Sequence, residues 1–273
     1  MFGQDLDYEE KSSKIYGVVT GVVTNNKDEE GMGRVKVTFA WLAENDESNW
    51  ARIATMMAGN GRGSYFLPEV GDEVLVAFEQ GDINFPYVIG SLWNGKDKIH
   101  ETNSDGKNNL RVIKSRSGHK IIFDDTEGKE KITIIDKTEK RKIVIDTEKK
   151  NIDIINQDGA INIFAGGDIN IETKKNLNIK TGKDMKSEVG KNMNTTVSSN
   201  TKIETSGSTT IKTNSSMTVK SGGSSSIEAS ASMKVKGATN TVEANSSMTV
   251  KGAMTTVKAS GITTVKGSIV KLN

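Results

Sequence analysis

The sequence predicts an all-β protein in two parts: a small closed barrel of five strands, followed by a triangular β-helix, or needle, intertwined from three copies of the chain. Three observations carry that prediction. The three tryptophans and both prolines stand before residue 100, among five short segments that alternate apolar and polar residues. Beyond residue 150 apolar residues recur every eight positions. Only 34% of residues are hydrophobic and 5% aromatic, against 27 glycines, which is little material for one large globular core. Surface must therefore be buried between chains.

Residues 1–14 form an acidic N-terminal extension without the apolar segment of a signal peptide. The barrel domain, 15–95, takes its strands from 15–24, 33–42, 50–55, 73–79 and 86–93, separated by Gly, Asn and Asp turns. Five strands of this length suit an OB-fold, an architecture that serves nucleic acid, sugar or protein partners alike. A neck follows at 96–120. From 121 to 150 the unit is about eleven residues long, and HKIIFDD, EKITIID and RKIVIDT read as the first β-strands of a shaft joined by charged turns.

In the segment 151–273 the period shortens. Ile155, Ile163, Ile171, Ile179, Ile203, Ile211, Val219, Ile227 and Val235 fall on one series of period eight, interrupted at Ser187 and Thr195. A second series two residues earlier holds Ile161, Ile169, Leu177, Met185, Met193, Met217 and Met233. A spacing of two puts each pair on the same side of a strand, so the period is a β period. After Val235 the step alternates between seven and eight through Val242, Val250, Val257 and Val265. Lys or Glu usually follows the anchor and points to solvent. Val-Lys-Gly recurs at 235–237, 250–252 and 265–267, where glycine is expected to permit a corner. One octad is thus one strand plus one corner. Its one or two large apolar residues cannot be hidden within one chain, but three copies about a threefold axis enclose a dry triangular core. The expected trimer core comprises the nine residues of the first series with Val250 and Val265.

Charge excludes several functions. Lys and Glu are interspersed and the net charge is +2, so no field of one sign is expected to attract nucleic acid or an anionic membrane, and the charge pattern reads as solubility. There is no cysteine for a disulfide or thiolate site. Asp124 and Asp125 read as a solvated turn, not paired catalytic carboxylates. His119 reads as a structural hydrogen-bonding residue rather than a metal ligand. GNGRG at 59–63 lacks the following Lys-Ser or Lys-Thr of a phosphate loop and reads as a flexible barrel loop. Met185, Met193, Met217, Met233, Met248 and Met254 are expected to pack on the core side of the octads. No catalytic, cofactor or metal site is expected, and no enzyme activity.

The stretches GRVKVTFAWL, WARIATMMAGNGRGSYFLPEVGDEVLVAFEQGD, PYVIGSLWNGKDK and SRSGHKIIFDDTEGKEKITI closely resemble, in order, the OB-fold and neck of VgrG proteins of type VI secretion. They resemble equally the central spikes of contractile-tailed phages. The octads look like the triple-stranded β-helix of the same proteins. This resemblance implies a homotrimeric, envelope-piercing spike on the axis of a baseplate, assembled in the cytoplasm as part of a phage-tail-like particle. VgrG proteins carry a hub-like region before the barrel, whereas about fourteen residues precede it here, so a separate hub protein is expected to receive the 1–14 extension. The C-terminal stretch 262–273 is expected to form the tip. There Ile269, Val270 and Leu272 are expected to seat a cap protein of the PAAR-repeat type. The nearest alternative reading is a receptor-binding trimeric tail fibre or adhesin; a nucleic-acid-binding OB protein is further off.

Overall fold

A computed structural model describes residues 14–43 and 46–271. All of the 1–14 extension but Lys14, and Leu272 of the expected cap seat, lie outside the described residues. The chain divides into two units, 1–177 and 178–273.

The first unit begins with the barrel. Its strands are β1 (Val19–Asn25), β2 (Lys36–Thr38), β3 (Arg52–Ile53), β6 (Glu73–Phe78) and β7 (Pro86–Leu92), in the order β2-β1-β6-β7-β3. Four of the pairings are seen directly: β1 with β2 and β6, and β6 with β7, are antiparallel, whereas β3 and β7 are parallel. A bridge between Val35 and Ala51 joins the two outer strands, with hydrogen bonds of 3.1 and 2.8 Å, and closes the barrel. All five predicted segments hold a strand. The 33–42 segment is mostly loop, because the chain turns back immediately after Phe39.

Strict alternation in β6, with Val74, Val76 and Phe78 buried and their neighbours half-buried, sets the inward face. Val23, Val35, Val37, Phe39, Ala51 and Val88 complete the core. Phe39 stacks on Trp41 at 4.7 Å and meets Phe78 edge to face at 5.6 Å. The predicted loop at 59–63 is a small hairpin instead, β4 (Ala58–Gly59) with β5 (Arg62–Gly63). Gly63 has φ +155°, and a Cβ there would lie 2.6 Å from the Met57 carbonyl oxygen, so only glycine fits.

Five further strands form an antiparallel meander: β8 (Leu110–Lys114), β9 (Lys120–Asp124), β10 (Lys131–Ile135), β11 (Arg141–Asp146) and β12 (Asn151–Asn156). The sheet starts inside the segment expected as neck and ends beyond the segment expected as its last strand. Short turns make the meander, and Glu139 and Lys150 take positive φ in two of them. Arg116 reaches back to the barrel and pairs with Glu69 at 2.7 Å.

Among the described residues from 157 onward the chain forms no strand pair with itself. It bends at 166–167 and then every eight residues to 238–239, after which bends fall at 245–246, 253–254, 260–261 and 268–269. The change from steps of eight to alternating steps of seven and eight follows the apolar anchors. Each bend lies three and four residues after an anchor, on Gly, Ser, Ala, Lys, Asn or Thr at most positions. The glycines of Val-Lys-Gly stand one residue before the bends, not on them. Their role is close approach: a Cβ on Gly237 would lie 3.0 Å from Asn240 Oδ1, and one on Gly252 or Gly267 would lie 3.2 or 3.3 Å from a backbone oxygen two residues on.

Candidate assembly surface

The meander presents one apolar face. Its strand registers align Ile113, Ile121, Ile134, Ile143 and Ile154 in one row across all five strands. A second row aligns Arg111 with Phe123, Ile132, Ile145 and Ile152. These side chains are exposed, from 39% for Ile121 and Ile132 to 67% for Ile152. Nine large apolar residues side by side on one sheet are far more than the scattered exposed apolar residues normal for a protein surface. A hollow of about 570 Å³ opens where the first row meets His119, Asp136 and Arg141.

The opposite face mixes apolar residues with charged ones. Lys131 pairs with the buried Asp146 at 3.3 Å, and Val112, Ile122, Thr133 and Val144 lie half-buried between charged rows. At the turns, Arg141 bridges Asp136 at 3.0 Å and Asp158 at 2.6 Å, and Lys140 also reaches Asp158. The Thr138 hydroxyl and the Arg141 N–H and guanidinium donate to Asp136 and hold its carboxyl down at about 2. The Lys149 N–H, then Lys131, lower Asp146 in the same way.

The octads continue the apolar series. Ile163, Ile171, Ile179, Ile203, Ile211, Val219, Ile227, Val235, Val250 and Val265 are all exposed within one chain, from 65% for Ile179 to 81% for Ile203. Ile155 does not share their environment. It lies in β12, in the row of Lys120, Ile135 and Lys142 on the mixed face, while Ile152 and Ile154 take the apolar one. Where Ser187 and Thr195 interrupt the series, Val189 and Val197 stand two residues later on the same side of the strand. The arithmetic series hid them. Met248 keeps the position two before its anchor, but Met254 stands on a bend and is 87% exposed. Ile269 is likewise on a bend, whereas Val270 lies beyond it.

The remaining candidates are apart from one another. Asp124 caps its own turn, accepting from the Thr126 N–H at 3.0 Å and hydroxyl at 2.6 Å, which lower its carboxyl. Asp125 pairs with Arg111. The His119 Nδ1 accepts the Lys137 N–H at 3.2 Å, so that ring nitrogen is engaged in holding two turns together. Among the described residues no three His, Cys, Asp or Glu side chains are grouped as metal ligands, and no helix is long and apolar enough to cross a membrane.

The barrel can be placed among known proteins. Residues 19–93 match the type VI secretion system/phage-baseplate injector OB domain. The barrel is an OB domain. Around it the chain is similar to curated spike proteins. It is 36% identical over 139 residues to the type VI secretion system spike protein VgrG4b of Pseudomonas aeruginosa, a match covering 42% of this chain and 17% of that protein. To VgrG1a of the same bacterium it is 28% identical over 160 residues, covering 55% and 24%. To VgrG3 of Vibrio cholerae it is 30% identical over 113 residues, covering 38% and 11%. The chain therefore matches less than a quarter of the length of each of these relatives, and its similarity to the VgrG-type spikes lies in the OB domain and the sequence beside it.

Proposed function

We propose that this protein is the structural, non-catalytic spike of a contractile injection system, three copies winding their octads about one axis to make a rigid element that pierces a target envelope. One observation carries the reading: apolar anchors, exposed in the single chain, keep step with the bends through the change from eight-residue to alternating seven- and eight-residue spacing. Each strand between bends has backbone groups without partners in its own chain, and in water such a segment has no reason to remain extended. Two further copies supply both what is missing, strand partners for the backbone and an enclosed core for Ile, Val and Met. Each buried side chain of that kind is worth about 1.5–3 kcal/mol.

Thrusting demands stiffness along the axis and no folded-state alternative, which a repeat of identical short strands provides. In this reading the injector OB domain sits against a baseplate hub, and Ile269, Val270 and Leu272 seat a separate PAAR-type cap. The decisive test has two parts. Sedimentation should give three times the 29.5 kDa chain mass, and particles assembled without the protein should fail to penetrate target cells. A folded monomer, or normal penetration without the protein, overturns the proposal.

A further inference from the structure

The residue after each apolar anchor has the same structural place in every octad, so its charge is free to vary without altering the repeat. Through most of the repeat it does vary: Glu172, Lys180, Glu204, Lys212, Lys220, Glu228, Lys236 and Glu243 mix the signs. Nearby lysines are neutralised within their own strand, Lys186 by Glu188 at 2.6 Å and Lys202 by Glu204 at 2.5 Å. From Ala244 to Lys271 the pattern changes. Lys251, Lys258 and Lys266 occupy the position in turn, Lys271 follows, and no Asp or Glu stands among them. All four are exposed.

Solubility does not require this change, because mixed charges serve the preceding octads equally well. Most residues at and beside the bends there are small, Gly252, Ala253, Ser260, Gly261, Gly267 and Ser268 among them, and the larger ones, Met254, Ile262 and Ile269, are apolar and exposed, so the ammonium groups stand on a surface that adds no negative charge and that a flat partner can approach. We propose that Lys251, Lys258, Lys266 and Lys271, beside the cap seat rather than on it, bind a membrane surface bearing anionic phospholipid headgroups. In the trimer on which this inference rests, four lysines from each of three copies give twelve positive charges within one short stretch. Each lysine near an anionic bilayer strengthens binding by roughly fivefold, an effect confined to within about a Debye length. The role is to hold the spike against its target bilayer at first contact.

The test uses the full-length protein and two kinds of vesicle, one rich in phosphatidylglycerol and one of phosphatidylcholine alone, in co-sedimentation. Binding is expected to the anionic vesicles only and to weaken steeply with sodium chloride. The variant K251Q/K258Q/K266Q/K271Q should lose about tenfold or more of that binding. The control K180Q/K186Q/K202Q/K212Q, drawn from the mixed-sign octads, should lose much less. Equal binding to both vesicles, equal losses in both variants, or release by inorganic phosphate beyond that of sodium chloride at the same ionic strength each overturns the inference. Sedimentation of the same samples separates the two proposals: a trimer that ignores anionic vesicles defeats only this one, whereas a monomer defeats the spike.

Discussion

Asp28 organises the loop between β1 and β2 as a single acceptor. Its carboxylate takes the N–H groups of Glu30, Met32 and Arg34, at 3.2, 3.1 and 3.3 Å, and both Nε and a terminal nitrogen of Arg34 at 2.8 Å. The Arg34 guanidinium, held there, lies 5.6 Å from the Trp50 ring centre. Arg34 keeps the Asp28 carboxyl far below the usual carboxylate range, and the Asp28 carboxylate in turn raises Arg34. Asp28→Asn should lower the melting temperature of the barrel by several degrees in calorimetry, since an amide cannot accept the bidentate pair and its own N–H groups would face donors. Asp136 extends the argument to pH. A carboxyl held at about 2, against an ordinary 3.8, contributes stability that is complete above the ordinary value and is lost as pH falls from about 3.8 through about 2. Asp28, Asp124 and Asp146 shift in the same direction. Melting temperature should therefore be level from about pH 7 to 5 and fall below about pH 4. Asp136→Asn should shallow that fall, because the variant has no proton to take up there; an equally steep fall in the variant would remove Asp136 from the account.

Within one octad, position decides what a residue is worth. Met248 and Met254 are chemically identical, yet one stands two before its anchor and the other on a bend. Met248→Ser should cost roughly 2 kcal/mol or more per chain, the scale of emptying a core site. Met254→Ser should change stability by no more than about 0.5 kcal/mol, as at an exposed surface position. Unfolding by guanidinium, read for both variants against the parent, checks the difference, and equal losses would mean that the bends do not mark corners of a shared core. Much of this was legible in the sequence, because the repeat is local: an apolar residue every eight positions, then every seven and eight, already locates each bend to within a residue or two. The barrel was legible for a similar reason, since Val74, Val76 and Phe78 announce their strand by alternation alone. What escaped depends on register between strands or on chain reversal. The Ile rows of β8–β12 appear only when five strands are aligned, and only that register shows Ile155, which fits the octad arithmetic, in one row with Lys120, Ile135 and Lys142. The glycine of Val-Lys-Gly was expected on the corner, but backbone crowding, not positive φ, fixes it one residue earlier.

For the whole molecule, the two kinds of core predict two kinds of stability. The barrel buries Val23, Val35, Val37, Val74, Val76 and Val88 inside one chain at 1% exposure or less, and needs no partner to do so. The β8–β12 face and the octads bury their large apolar residues only if other copies supply the cover. Cutting the chain after Gln157, just past β12, removes the octads and leaves every strand of the first unit intact. The shortened protein should fold, with a cooperative melting transition from the barrel. It should trimerise weakly, because the Ile rows of the meander must then work without the longer repeat. It should also be prone to aggregate, since an exposed apolar sheet with open edge strands β8 and β12 invites further pairing. Full-length protein should resist heat and SDS as a trimer under conditions that dissociate the shortened one. Gel migration of unboiled samples, with sedimentation at several concentrations, measures both. A shortened protein as resistant as the full chain would move the main interface from the octads to the first unit, and a full-length protein that dissociates as readily would leave the exposed Ile and Val series without its proposed partner.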